Sequence, residues 1–150
     1  MIAQGASMFD ELIVAIGDNP DKKYTFSHKE RMAMIHEALG DQPRIRIAEF
    51  HNRFLVDFAA EHHANIVIRG IRTSQDYEYE RVMRHINADM APAISMVFLM
   101  PPRDIAELSS SMVKGLIGPD GWEAQVKRYV PANVFDRLEK MTQAEHIEPV

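Results

Sequence analysis

Short apolar runs of strand length alternate with segments of helix length through the first two thirds of the chain. The runs occupy residues 11–17, 45–48, 66–68 and 94–99. The first is β-branched and bounded by a turn cluster, which is typical of a strand buried on both faces. Strands that alternate with helices are joined by right-handed parallel crossovers. The pattern therefore predicts an α/β fold: a Rossmann-like open parallel sheet with helices on both faces.

Capping residues predict where the helices begin. Ser27 and Glu30 have the spacing of a capping box, and Gly40 is placed to end that helix. Thr73 and Asp76 repeat the box before a long polar helix that extends to about residue 88.

The chain after the fourth strand has only helical signals. Ser109 or Ser110 can cap a short helix, and Pro131 suits the first turn of a last helix. A helical C-terminal part follows from this pattern.

Composition narrows the class of protein. A chain of 150 residues fits a single domain, residues 1–150, and 46% hydrophobic with 26% charged residues is ordinary for a globular protein. The formal charge of −5 argues against nucleic acid or an anionic membrane as a partner. The absence of Cys excludes disulfides and thiolate metal sites. No apolar run reaches the length of a membrane span, so we expect a cytoplasmic protein.

Basic and hydroxyl side chains follow the predicted strands. Lys22 and Lys23 lie in the first strand-end loop, Arg69 and Arg72 in the third, and three serines, residues 109–111, at a helix start after the fourth. Ligands of open α/β sheets bind beyond the carboxyl ends of the strands. Arginine, lysine and a free helix N-terminus all attract phosphate. The sequence predicts a site for two or more phosphate groups at this edge.

Each of these features also has a purely structural interpretation. The lysines could be solvated surface charges, the arginines could pair with Asp76 or Glu80, and the serines could do no more than cap a helix. The seven histidines show no spacing typical of metal ligands, and no metal-binding residue is predicted.

Three sequence blocks together resemble a known family. They are residues 19–31, residues 68–80 and residues 98–114. The chain resembles the bacterial phosphopantetheine adenylyltransferases, which belong to the nucleotidyltransferase group with an HxGH-type signature, from Met1 to about Lys140. The resemblance implies transfer of AMP from ATP to 4′-phosphopantetheine, giving dephospho-coenzyme A and pyrophosphate. It also implies Mg²⁺ bound with ATP, and a homo-oligomer, a hexamer.

The resemblance implies roles for individual residues. Lys22 and Arg69 would contact the phosphate of phosphopantetheine, and Leu55 would line its pantetheine arm. Lys22 and Arg72 would be the catalytic groups that align the acceptor and relieve charge on the displaced pyrophosphate. ATP would be bound by Gly70, Ile71, Arg72, Glu80, Ile105, Ala106, Glu107, Leu108, Ser109, Ser110 and Ser111.

The chain departs from the family at its start. Family members open with a strand and a G-H pair whose His stabilises the transition state, whereas residues 1–10 match the helix that follows. We therefore expect a domain truncated at its N-terminus relative to the family, with a further segment before Met1. The strand without a counterpart is the central one, between the strands ending at Gly17 and Arg69. If the chain begins at Met1, those two strands must pair directly or accept a strand from elsewhere.

Two other functions stay open. One is a catalytically impaired module that binds nucleotide or coenzyme A. The other is the same chemistry with a different phosphorylated acceptor, such as a nicotinamide or glycerol phosphate. Residues 68–72 and 109–114 favour phosphopantetheine through the family resemblance.

Overall fold

A computed structural model describes residues 1–19 and 22–145. The helices are α1 (Ile2–Met8), α2 (His28–Leu39), α3 (Leu55–Glu61), α4 (Ser74–Met90), α5 (Ser110–Gly115), α6 (Trp122–Val126) and α7 (Ala132–Glu145), with a 3₁₀ turn at Arg103–Ile105. The strands are β1 (Leu12–Gly17), β2 (Ile45–Phe50), β3 (Ile66–Gly70) and β4 (Ser95–Leu99). All four predicted strands are present.

The described residues form two compact units. The first contains Met1–Phe26 and Gln42–Glu107 and holds the four strands. The second contains Ser27–Asp41 and the described chain from Leu108 onward, and its secondary structure is helical, which confirms the helical C-terminal part. The single-domain organisation of residues 1–150 stays a prediction.

Side chains cap the helices where the sequence predicted. Ser27 accepts from the backbone N–H of Glu30, whose own side chain accepts from the Ser27 backbone, so the capping box is complete. Thr73 accepts from the N–H of Asp76, and Ser109 from that of Met112. These bonds satisfy donors that the first helical turn leaves unpaired, so local chemistry determines where these helices begin.

The strands form two parallel pairs rather than one open sheet. β1 pairs with β2, and β3 pairs with β4. The α/β class and the parallel strands are confirmed, but β1 and β3 do not pair with each other. Direct pairing of these two strands, one of the two expectations for this position, is therefore not what the structure shows.

β1 is less buried than predicted. Ile16 is the one residue of β1 that is fully buried, and Ala15 is exposed. The prediction of a strand buried on both faces is wrong here, because a cavity runs beside its open edge. On the other side, Gly17 lies against Phe50 of β2, whose ring stacks on Phe58 at 5.1 Å between centroids.

Each unit has its own apolar core. In the first, Val56 and Ala59 of α3 pack with Val67 of β3 and with Ile94. In the second, the rings of Trp122 and Phe135 lie 5.9 Å apart between centroids. No helix within the described residues has the length and apolarity needed to cross a membrane.

Candidate functional site

The basic segment 69–72 continues directly from β3. The N–H of Ile71 donates to the carbonyl of Leu99 at 2.9 Å, so pairing with the end of β4 extends one residue past the strand. Gly70, the last residue of β3, is exposed. This backbone holds Arg69 inside the strand and places Arg72 beyond its carboxyl end.

Arg69 is paired with a buried carboxylate on α4. Its Nε donates to both oxygens of Glu80 at 2.9 Å, and its Nη2 donates to Oε1. Glu80 is almost fully buried, whereas the Arg69 side chain is 40% exposed. The bond to Glu80 raises the pKa of Arg69, although partial burial opposes that shift.

Arg72 is held by a second carboxylate on the same helix. Asp76 Oδ2 accepts from the backbone N–H of Arg72 at 3.1 Å and from its Nε at 3.2 Å. These bonds, the backbone bond first, lower the pKa of Asp76. Because Asp76 follows Arg72 by four residues across the start of α4, it fixes the guanidinium relative to the helix.

The arginine pairs change the charge of the predicted phosphate site. The structural interpretation, pairing with Glu80 and Asp76, is what the structure shows for both arginines. Two of the predicted cations are therefore neutralised by neighbouring carboxylates. Glu80 occupies the Nε and Nη2 edge of Arg69, and Nη1 has no partner among the described residues. Since a guanidinium has five N–H donors, this pairing and anion binding are compatible.

The other predicted residues occupy several parts of the fold. Lys22 is exposed in the loop after β1, where its N–H donates to the carbonyl of Asn19. Leu55 is the first residue of α3. Ile105 ends the 3₁₀ turn in the first unit, and Ala106 and Glu107 follow it. A meeting of Lys22 with Arg72 stays a prediction.

The three serines lie in the second unit, with Leu108. Ser109 caps α5, as its structural interpretation proposed. Ser110 and Ser111 are exposed in the first turn of that helix. Their role in binding ATP stays a prediction.

A cavity of about 450 Å³ lies beside three of the predicted residues, Leu55, Arg69 and Gly70. Its walls come from α1, β1, α3 and β3, all in the first unit. A Cβ on the buried Gly5 of α1 would lie 3.2 Å from Ile68 Cδ1 and 3.4 Å from Leu12 Cδ2. α1 thus packs against both β1 and β3, which do not pair.

Sequence reasoning missed one contact near the strand ends. His51 was given no role from the sequence, yet its Nδ1 donates to Asp18 Oδ2 at 2.6 Å. The two residues are 33 positions apart in the chain, so no local sequence pattern predicts their contact.

Comparisons with known proteins extend over most of the chain. Residues 1–116 match the family described as cytidylyltransferase-like. A phosphopantetheine adenylyltransferase from Neisseria meningitidis serogroup C (strain 053442) is 57% identical over 138 residues, which cover 92% of this chain and 81% of the relative. One from Chromobacterium violaceum is 51% identical over 141 residues, covering 94% and 86%. One from Nautilia profundicola is 36% identical over 138 residues, covering 92% and 87%.

Proposed function

Because the chain belongs to the phosphopantetheine adenylyltransferase family, we propose that it transfers the adenylyl group of ATP to 4′-phosphopantetheine. The products are dephospho-coenzyme A and pyrophosphate. The observation that carries the proposal is the 57% identity over 92% of the chain to a relative of that name. An alignment that covers 92% of the chain includes the basic segment 69–72 and α4, the helix whose carboxylates hold that segment.

The reaction requires positioning more than covalent catalysis. A phosphate oxygen of phosphopantetheine attacks the α-phosphorus of ATP, and the bond to the bridging oxygen breaks as pyrophosphate leaves. Direct transfer of this kind depends on alignment of the reactants and on relief of negative charge. The arginines of segment 69–72 supply these effects without a nucleophile from the protein.

The acceptor phosphate is assigned to Arg69 and Lys22. Nη1 of Arg69 is available for an anion while Glu80 holds the other edge of the guanidinium. Lys22 is exposed and adds a mobile point charge. Leu55 lines the same cavity as Arg69, which supports its proposed contact with the pantetheine arm.

The nucleotide is assigned to the backbone of Gly70 and Ile71, to Arg72 and to residues 105–111. Arg72 relieves charge on the departing pyrophosphate, and Asp76 keeps its guanidinium in position. Both carboxylate oxygens of Glu80 accept from the guanidinium of Arg69. Glu80 therefore acts by positioning Arg69.

Mg²⁺ is proposed as part of the substrate MgATP. The two carboxylates of the basic segment, Asp76 and Glu80, are bonded to guanidinium groups and so offer no ready ligand set. Magnesium in nucleotide sites is commonly bound by substrate phosphates and retained waters, with few protein ligands. That arrangement fits the residues present.

We also propose a cytoplasmic homo-oligomer, a hexamer by family resemblance. Tyr79, Val82, Ile86 and Met90 share one face of α4, and each is at least 41% exposed. A continuous apolar stripe of this kind is typical of an interface. Light scattering on the purified protein tests the oligomeric state.

A coupled assay tests the activity. The purified chain is incubated with MgATP and 4′-phosphopantetheine, and dephospho-coenzyme A is measured by mass spectrometry together with released pyrophosphate. We expect both products in equal amounts and neither when phosphopantetheine is omitted. Replacing phosphopantetheine with nicotinamide mononucleotide or glycerol phosphate tests the alternative acceptors.

Lys22→Ala has a matched control in its exposed neighbour, Lys23→Ala. Loss of one preorganised charged donor lowers turnover by about 10²–10³-fold, so Lys22→Ala should do so and Lys23→Ala should not. Equal turnover in the two variants would reject the role of Lys22. Calorimetric binding of ATP without any product would favour the impaired binding module.

A further inference from the structure

Hydrogen bonds close the loop that carries Lys22. The N–H of Lys22 donates to the carbonyl of Asn19 at 3.0 Å, and the N–H of Asn19 donates to the phenol oxygen of Tyr24 at 3.0 Å. The backbone N–H and carbonyl of Asn19 are thus both bonded within the loop. We call the described part of this loop, Asp18, Asn19 and residues 22–24, the acceptor loop, because its lysine is assigned to the acceptor phosphate.

His51 holds the base of the acceptor loop. Its Nδ1 donates to Asp18 Oδ2 at 2.6 Å, and its Nε2 lies 3.6 Å from Glu49 Oε2. Asp18 directly follows β1, and His51 directly follows β2. The last residues of those strands, Gly17 and Phe50, are in register. The contact therefore ties the loop after β1 to the end of the neighbouring strand.

These contacts restrict the loop more than they stabilise the fold. The side chains of His51 and Asp18 are 52% and 48% exposed, and Tyr24 is 38% exposed. Pairs this open to solvent add little to the free energy of unfolding. A lysine side chain has much conformational freedom of its own. A fixed backbone beneath it reduces the ordering that substrate binding must supply.

We propose that Tyr24 and His51 are positioning residues for Lys22, which fix the acceptor loop so that the lysine ammonium meets the phosphate of 4′-phosphopantetheine. The proposal rests on the proposed function, which assigns Lys22 to that phosphate. Each residue acts through Lys22 and needs no contact with substrate. Asp18 joins His51 to the loop. Asn19 is bonded to both Tyr24 and Lys22 and so relays the constraint.

Tyr24→Phe tests the first residue, since it removes one oxygen and keeps the ring. It should lower kcat/KM for phosphopantetheine by about three- to tenfold, the effect of one lost hydrogen bond, and leave the KM for ATP and the unfolding temperature unchanged. Tyr129→Phe, at an exposed tyrosine of the helical unit, is the matched control. A wild-type kcat/KM in Tyr24→Phe, or an equal loss in the control, would overturn the role of Tyr24.

Two substitutions of His51 test the base of the loop. His51→Ala removes the contact with Asp18 and should cause a loss of the same size. His51→Asn keeps a side-chain N–H donor and should retain most of the wild-type kcat/KM. His36→Ala, an exposed change on α2, is the control and should have no effect. Equal values for His51→Ala and His51→Asn would overturn the role of His51, because the donor to Asp18 would not matter.

A double-mutant cycle tests whether both residues act through Lys22. If they do, Tyr24→Phe and His51→Ala should each have no further effect on the residual turnover of Lys22→Ala. A role in the general structure of the protein would instead lower turnover by the same factor with and without Lys22. That additive outcome would overturn the proposal.

NMR relaxation tests the positioning without any substrate. The amide of Lys22 should have an order parameter of about 0.85 in the wild-type chain and below about 0.6 in Tyr24→Phe and in His51→Ala. Unchanged order parameters in both variants would overturn the proposal whatever the activity of the chain. If the wild-type chain makes no dephospho-coenzyme A while the order parameters change as expected, the proposed function fails and the restraint on Lys22 stands.

Discussion

Both carboxylate oxygens of Glu80 accept a hydrogen bond from Nε of Arg69 at 2.9 Å. The pair joins the end of β3 to α4 across a separation of 11 residues, with the carboxylate buried and the guanidinium partly in solvent. A single contact therefore orients the cation assigned to the acceptor phosphate and anchors the helix that also holds Arg72. Its loss should affect both stability and substrate binding.

Glu80→Gln should destabilise the protein and raise the KM for phosphopantetheine. Breaking a buried ion pair costs about 3–5 kcal/mol, and solvent at the exposed Arg69 end reduces the expected loss to about 1–3 kcal/mol. Denaturant unfolding and steady-state kinetics measure the two effects. The control is Glu78→Gln, which breaks the exposed pair with Arg81. Equal unfolding midpoints for the two variants would contradict the anchoring role.

Asp76→Asn should lower kcat with little change in thermal stability. The amide keeps an oxygen acceptor but loses the charge that holds Nε of Arg72. Misplacement of a positioning group by about 1 Å can cost about 100-fold in rate, so we expect a loss between about 10- and 100-fold. Asp89→Asn, an exposed change on the same helix, is the control. A KM effect for ATP with unchanged kcat would show that Arg72 acts only in binding.

His51 should titrate above its ordinary pKa. The hydrogen bond to Asp18 raises the pKa of His51 above 6.5, and the charges of Asp18 and Glu49 act in the same direction. A raised folded-state pKa means that the contribution to stability is complete below pH 6.5 and is lost as the pH rises through the folded-state value. Proton NMR of the His51 ring measures the titration. Asp18→Asn should return the pKa towards 6.5, and an unchanged titration in that variant would show another cause.

Gly17→Ala should destabilise the β1–β2 pair. A Cβ at Gly17 would overlap the ring of Phe50, its partner in register, and that ring is already stacked on Phe58. Overpacking of this kind costs about 1–3 kcal/mol. Gly115→Ala, where an added Cβ meets nothing within 4 Å, is the control and should not destabilise. Thermal unfolding measures both, and a neutral Gly17→Ala would mean that the Phe50 ring moves without cost.

Local chemistry made several elements predictable. The capping bonds of Ser27, Thr73 and Ser109 form within three residues of the capping side chain, so their spacing alone was informative. The pairing of Arg69 with Glu80 was one of two interpretations, because spacing could not decide between a phosphate and a carboxylate as partner. Folded geometry resolved it by bringing a buried carboxylate within bonding distance.

The amino-acid sequence by itself determined the four strands, the three helix starts capped by Ser27, Thr73 and Ser109, the basic segment 69–72 and the family. Each of these depends on periodicity, on nearby polar atoms or on aligned residues. Only the tertiary structure decided that the strands form two separate pairs, with a cavity lined by β1 and β3. The physical reason is that hydrogen bonds between strands join residues far apart in the chain. Which edges meet depends on all the elements that pack around them, and no single segment encodes that outcome.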